Sequence, residues 1–356
     1  MDAPEVRPDR DPRVGSRVVV RHRLEQPDPL TGATLTDAVG ELVAHDDGIL
    51  VVRTRRGEVR VRRAAVTAVK EIPPSPSRRG KPHRALSVED MQRVMVGAWP
   101  AVETARLGDW VLRASRGFTQ RANSVMTAGS PGIALPDALD RVERWYAERD
   151  LPPNLTLAGP VGFDPTDDQV GAEALRRGYL PRVATLTLTA PTRLLADLRH
   201  GKGPGGAPEV ADPQPVEVGG ELTDAWFTAY RAYREVDDEA ARAILTGSPA
   251  QAFATVRDGD GGGDDVAGGG GAVIGIGRLG LSAAWGGIAA MWVDPRARRR
   301  GIATGMLAAL ARAAERAGAA SLHLQTDTDN TTALALYEGH GFERHHSYVN
   351  LRRPGG

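Results

Sequence analysis

The chain has 356 residues, with 45 Lys and Arg against 45 Asp and Glu, and it contains no cysteine. It is too long for one small domain, and its balanced charge sets up no global field toward nucleic acid or an anionic membrane. Without cysteine, disulfides, zinc–thiolate sites and cysteine nucleophiles are excluded.

The opening stretch MDAPEVRPDRDPRVG is charged and proline-rich with no apolar signal core. No window approaches the roughly 18 consecutive apolar residues of a membrane span, so a soluble, cytoplasmic protein is expected. Residues 16–69 then hold short β-branched segments separated by turn residues (SRVVVRHRL, DAVGELVAHD, GILVVRTRRG, EVRVRRAAVTAV), which predict a small antiparallel barrel. The basic run RTRRGEVRVRR at 53–63 reads as a solvated strand face. It lacks aromatics that could stack on bases, so nucleic acid is not an expected partner.

A Pro/Ser/Arg joint at 73–84 leads into alternating helices and strands. Helical apolar spacing marks 87–99 and 133–150, while 109–115, 154–159 and 183–190 read as strands. A second joint, 201–215, opens a region of the same style. Its helices are predicted at 224–233 and 238–245, its strands at 252–257, 272–280 and 287–293. The run DGDGGGDDVAGGGG at 258–271 reads as a loop, because a calcium loop's alternation and terminal glutamate are missing. A long helix at 302–318 ends in Gly318, and a strand at 321–326, a helix at 331–341 and a strand at 345–351 close the chain. Nearly the same spacing separates Gly132 from Gly301 and Gly178 from Gly341, which suggests a degenerate internal duplication.

One stretch carries chemistry. VDPRARRRGIATGM, residues 293–306, ends a strand, turns through arginines and enters a helix at Ile302. A helix start has unpaired N–H groups and partial positive charge, so it can hold phosphate oxygens. Gly301 lets the backbone approach, Ala303 leaves room, and Arg298, Arg299 and Arg300 can add charge-assisted contacts. The rival reading is an exposed, solvated helix start. Arg298-x-x-Gly301-x-Ala303 resembles the coenzyme A pyrophosphate loop of the GNAT acyltransferase superfamily. The run DNTTALALYEGHGF at 329–342 resembles the same family's second motif through Asn330, Ala333, Leu336, Tyr337, Gly341 and Phe342.

The resemblance implies acetyl-CoA as co-substrate, no metal, and an amine acceptor on a small molecule or protein. Backbone groups of Met291, Trp292 and Val293 would pair with the pantetheine arm. Residues 298–304, including Ile302 and Thr304, would cradle the pyrophosphate. Asn330 would sit near the cofactor arm while also able to cap its helix, and Tyr337 would protonate the leaving thiolate. The family's usual glutamate is missing from 285–291, and Gln325 stands where other relatives carry one. His323, Asp327 and the run Glu235, Asp237, Asp238, Glu239 remain as proton acceptors or as ordinary structural residues. The layout is similar to actinobacterial GNAT proteins with an SH3-like N-terminal domain, sometimes labelled histone acetyltransferases. The expected fold is therefore mixed α/β: an SH3-like β-barrel at 1–72, a linker at 73–86, a degenerate GNAT-like lobe at 87–200, a linker at 201–215 and a catalytic lobe at 216–356. In the first lobe GSP replaces the arginines before Gly132, and the polar run 117–125 faces either a ligand or a plain loop. Two other functions stay open. One is mycothiol synthase-like acetylation, although Gly287 stands where that family's substrate-binding acid is expected; the other is a non-catalytic acyl-CoA-binding regulator.

Overall fold

Alternation of apolar and polar side chains makes the first elements strands. They are β1 (Arg17–Arg23), β2 (Leu35–His45), β3 (Ile49–Thr54), β4 (Gly57–Arg62) and β5 (Val66–Glu71). They form an antiparallel sheet in the order β4-β3-β2-β1-β5, and one face buries Val18, Val20, Leu42, Leu50, Val52 and Val61. The turn into β3 is held by Asp46, whose carboxylate accepts from the backbone N–H groups of Gly48 and Ile49 at 2.8 and 2.7 Å. This is a computed structural model, and it describes residues 14, 16–24, 34–46, 48–54, 57–71, 81–198, 214–259 and 271–354. The chain divides into the units Met1–Pro76 and Ser77–Gly356. Most of each joint read at 73–84, 201–215 and 258–271 lies outside the described residues.

The second unit opens with α1 (Val88–Ala98), capped by Ser87, whose hydroxyl accepts from the Asp90 N–H at 3.0 Å. Next come β6 (Glu103–Leu107), β7 (Trp110–Ala114), β8 (Val125–Met126), α2 (Leu135–Ala147), β9 (Asn154–Gly159), α3 (Gln169–Arg176), β10 (Leu180–Pro181), β11 (Thr185–Pro191) and α4 (Thr192–Ala196). The remainder holds β12 (Val216–Gly219), α5 (Asp224–Ala232), α6 (Asp238–Thr246), β13 (Ala250–Arg257), β14 (Val273–Ser282), β15 (Trp285–Val293), α7 (Ile302–Arg316), β16 (Ser321–Asp327), α8 (Thr331–Gly339) and β17 (Glu343–Arg352). Elements β6, β8, β10, β12 and α4 carry no clear periodicity because they are two to five residues long.

One large sheet runs β12-β13-β14-β15-β16-β11-β17-β9-β8-β7-β6, with β10 added at β17. Its order is nearly mirror-symmetric about the β11–β17 pair. Parallel pairs, β15 with β16 and β8 with β9, stand on either side, and antiparallel strands continue outward from each. Strand β11 belongs to the first half of the chain yet pairs with β16, and β17 belongs to the second half yet pairs with β9. The halves therefore interlock rather than abut. Helix α7 covers one face with Met306, Leu307 and Leu310 in a core shared with Leu322, Leu324, Tyr337 and Phe342. On the opposite face α1 packs Met91, Val94 and Met95 against Trp285 and Tyr348. No helix among the described residues is long and apolar enough to cross a membrane, which says nothing about a β-barrel.

Candidate active site

Two neighbouring strands part company here. Strands β15 and β16 pair in parallel from Trp285↔Ser321 to Ile288↔Leu324, and beyond that rung neither pairs with the other. The break coincides with a bulge. Ala289 lies opposite Arg278 and Trp292 opposite Ile276, so Ala290 and Met291 together face Gly277. Ala290 takes φ +53°, a left-handed conformation that an L-residue adopts only under constraint. A Cβ on Gly277 would stand 2.6 Å from the Met291 sulfur, so the glycine makes room for the bulged side chain. The backbone of Met291, Trp292 and Val293 thereby reaches the mouth of the split. Trp292 is anchored by stacking on Tyr233, with ring centroids 5.4 Å apart and planes 6° apart.

Asp294 ends β15 and caps a short turn by accepting from the Arg296 N–H at 2.8 Å. The Arg296 guanidinium binds the same carboxylate and holds it below the usual carboxylate range. Arg296 is thus spent on its neighbour. Arg298 lies with Nε 3.5 Å from the Val293 carbonyl oxygen, Arg299 takes φ +62°, and Arg300 lies 3.6 Å from Asp258. Gly301 caps α7 at φ +74° with no side-chain hydrogen bond. The first intrahelical bond runs from the Gly305 N–H to the Gly301 carbonyl at 2.9 Å, so the N–H groups of Ile302, Ala303 and Thr304 have no acceptor within the helix. The turn thus combines cationic side chains with a free helix N-terminus.

Helix α8 borders this turn. Asn330 caps it, its side-chain oxygen accepting from the Ala333 N–H at 3.2 Å. Tyr337 is 9 % exposed, and its ring meets Phe342 edge-on at 5.8 Å. Desolvation pushes its hydroxyl up to about 12, so it stays protonated at neutral pH.

On the other face of the split lies a narrow cleft, about 10 Å³ in volume, that the motifs do not announce. Its floor is Gly287, Ile288, Ala289, His323 and Gln325, and its wall is Ala98, Trp99 and Arg121 from the first half of the chain. A Cβ on Gly287 would stand 2.7 Å from both the Ala98 Cβ and the His323 Cε1. An acidic side chain therefore has no room at 287. Arg121 stacks over Trp99 at 4.9 Å and donates from Nη1 to Gln325 Oε1 at 3.0 Å. His323 is buried with neither ring nitrogen hydrogen-bonded, and burial, aided by the Arg121 charge, pushes it down to about 3. The other proton-acceptor candidates are engaged or exposed. Asp237 caps α6 and pairs with Arg116 at 3.0 Å, Glu239 also pairs with Arg116, and Asp238 pairs with Arg231 at 3.0 Å. Asp327 accepts from the Thr185 hydroxyl at 2.9 Å, and Glu235 is exposed.

The first half of the chain holds a second parallel pair, β8 with β9. Strands β8 and β9 share two parallel rungs, and Thr127 then donates from its hydroxyl to the Thr156 carbonyl at 2.9 Å, bridging the strands where they would part. Gly132 takes φ +74° like Gly301, but its helix begins only at Leu135.

A sequence profile of the family described as "Probable histone acetyltransferase Rv0428c C-terminal" matches residues 87–351, and one described as "Rv0428c N-terminal Sm-like domain" matches residues 12–70. The chain is 29% identical over 245 residues to "Probable histone acetyltransferase Rv0428c" of Mycobacterium tuberculosis, covering 67% of this chain and 72% of that protein. It is 23% identical over 260 residues to "Uncharacterized N-acetyltransferase YobR" of Bacillus subtilis, covering 72% and 94%. Among solved structures, a GCN5-related N-acetyltransferase from Kribbella flavida superposes with TM-score 0.52 at 16% identity, covering 76% of this chain and 96% of that one. A tandem GNAT protein from the clavulanic acid biosynthesis pathway superposes with TM-score 0.50 at 14% identity, covering 77% and 90%. By the match over residues 87–351 the chain belongs to the Rv0428c C-terminal acetyltransferase family, and it is an N-acetyltransferase with a mixed α/β GNAT fold behind a small β-rich, Sm-like N-terminal domain.

Proposed function

We propose that the chain transfers an acetyl group from acetyl-CoA to a primary amine of a small molecule or protein by direct attack on the thioester. The observation that carries this reading is the parting of β15 from β16 beside the bulge at Ala290, directly upstream of the cationic turn into α7. Acetyl-CoA fits there by chemistry. Its pantetheine amides need backbone partners, which Met291–Val293 supply, and its phosphates need N–H donors and cations, which Arg298, Arg299, Arg300 and residues 301–304 supply. Backbone N–H groups near Val293 would stabilise the developing oxyanion. The proton shed by the attacking nitrogen would pass to water, and Tyr337, kept protonated by burial, would protonate the thiolate as the carbon–sulfur bond breaks.

The interlocked strand order supports a tandem of two GNAT-like lobes, 87–200 and 216–356, with the first closed at Thr127 and Thr156. That lobe would serve by lending Trp99 and Arg121 to the second lobe's cleft. The strand order of the N-terminal unit supports an SH3-like barrel. The absence of space for an acid at Gly287 weighs against mycothiol synthase-like recognition. Free thiol released from acetyl-CoA in the presence of an amine panel tests the reading. Tight acetyl-CoA binding with no amine-dependent release would instead make the chain an acyl-CoA-binding regulator.

A further inference from the structure

The cleft beside Gln325 has an unbalanced charge. Arg121 sits in the turn 116–124, which the Asn123 side chain fixes on every side. Its carbonyl oxygen accepts from the N–H groups of Ser115 and Gly117 at 2.7 and 3.0 Å, and its amide donates to the carbonyls of Phe118 and Thr119 at 2.7 and 2.8 Å. The guanidinium is thus delivered by a rigid loop, stacked on Trp99 and tied to Gln325. Gln325 is fixed in turn, because its Oε1 also accepts from the Tyr348 hydroxyl at 3.0 Å. Neither Trp99 nor Gln325 carries negative charge. Among the described residues no carboxylate lies within ion-pair distance of Arg121, and its Nε and Nη2 have no hydrogen-bond partner.

A second guanidinium deepens the imbalance. Arg278 is buried under the same Trp99 ring, 5.2 Å from its centroid, and bonds only neutral oxygens: the Leu245, Ala98 and Ile244 carbonyls at 2.7, 2.9 and 3.4 Å and the Ser248 hydroxyl at 2.8 Å. Arg278 has its donors satisfied, whereas Arg121 is half-buried with an open edge. A fixed guanidinium edge in a low-dielectric cleft matches a carboxylate in geometry as well as charge. The cleft's lining includes Ile288 and Ala289, the residues just before the Ala290 bulge.

We propose that the acceptor is an amino acid-type molecule, carrying a carboxylate beside its amine, and that Arg121 receives this carboxylate and so aims the amine at the β15 bulge. The proposal rests on the acetyl-transfer reading above. It also accounts for glutamine at 325: a glutamate there would neutralise Arg121 and occupy the subsite.

The test measures thiol release by the full chain with matched triads in the alanine, leucine and phenylalanine series. Each triad is the amino acid, its methyl ester and the decarboxylated amine, with rates corrected for the neutral-amine fraction. The amino acid should show kcat/KM about 10–100-fold above its ester, the scale of hydrogen bonds to a charged group. In Arg121→Leu that ratio should fall to about one, and Arg121→Lys should keep part of it. Gln325→Glu supplies an internal carboxylate while preserving the tie between the halves, so it should fold and lose the same preference; it decides the matter where Arg121→Leu does not fold. A parent that accepts esters as well as acids, or a ratio that survives in these variants, overturns the subsite and leaves acetyl transfer standing. If no amine of any kind releases thiol, the acetyl-transfer reading falls and the subsite falls with it.

Discussion

Thr304 Oγ1 lies 2.9 Å from His340 Nε2, so the first turn of α7 is tied to the residue that ends α8. The arginine-rich turn into α7 and the helix carrying Tyr337 therefore share a polar contact within a largely apolar boundary. Burial holds His340 below the usual histidine range, so the neutral ring meets the hydroxyl.

Thr304→Val should remove this tie and leave His340 Nε2 without its partner, costing about 1–3 kcal/mol, the scale of an unsatisfied buried group. His340→Leu alone should cost a similar amount. Because the two side chains share one contact, the double variant should cost less than the two single losses added together. Urea unfolding of the four proteins measures the coupling, and strict additivity would show that the residues do not interact.

Much of the candidate site was legible because its backbone demands particular residue types. Gly301 sits at φ +74° and Gly341 at φ +87°, conformations that glycine adopts freely, and both stood out in the chain. The pairing of β11 with β16 and of β17 with β9 was not legible, because pairing partners leave no local mark. The bulge at Ala290 also escaped, since alanine at φ +53° pays a strain that nothing in its letter announces. Arg121 lies in the polar run 117–125, which the sequence left open between a ligand-facing segment and a plain loop, and its partner was not legible. It reaches Gln325 across 204 residues of sequence, and no periodicity links the two. The acids at 235–239 looked available for catalysis, whereas the fold spends Asp237, Asp238 and Glu239 on Arg116 and Arg231.

Gly301→Asp should abolish acetyl-CoA binding. The new carboxylate would face the phosphates, and its Cβ would be strained at φ +74°, at a cost to the fold of about 1–2 kcal/mol. Calorimetry should show binding lost while the circular dichroism spectrum is kept. Unchanged affinity would remove the pyrophosphate assignment from residues 298–304.

His323 sets an acid limit on stability. Burial pushes it down to about 3, against an ordinary value near 6.5, and His346 is pushed to the same level by burial and its histidine neighbours. A histidine with a depressed folded pKa contributes its full stability above about pH 6.5 and loses it as pH falls toward 3, because the unfolded chain takes up the proton first. At pH 5 each such residue should cost about 2 kcal/mol relative to neutral pH. Urea unfolding at pH 7.5 and 5.0 should show this loss, and His323→Leu should shrink it by about half of the two-residue effect. An equal loss in the variant would mean that His323 takes up its proton as readily in the folded protein as in the unfolded chain.

Tyr337 is where packing and catalysis can be separated. Its ring belongs to the core with Phe342, and Tyr337→Phe keeps that burial while deleting only the hydroxyl. As proton donor to the thiolate, the hydroxyl should be worth about 10²–10⁴-fold in turnover, the usual scale of general acid–base help. Acetyl-CoA affinity should stay nearly constant, because the lost interaction belongs to the transition state. The raised value of about 12 adds a pH test. A donor of that kind remains charged with its proton through neutral and mildly alkaline pH, so the parent should lose no activity from this group until pH rises toward 12. Stability follows the same sign: the contribution is whole below about pH 10, the ordinary tyrosine value, and disappears as pH climbs through 12. Stopped-flow thiol release with parent and Tyr337→Phe protein, alongside calorimetry for acetyl-CoA, separates the two roles. Near-normal turnover in the phenylalanine variant would make Tyr337 a core residue only, and the proton would then have to come from solvent.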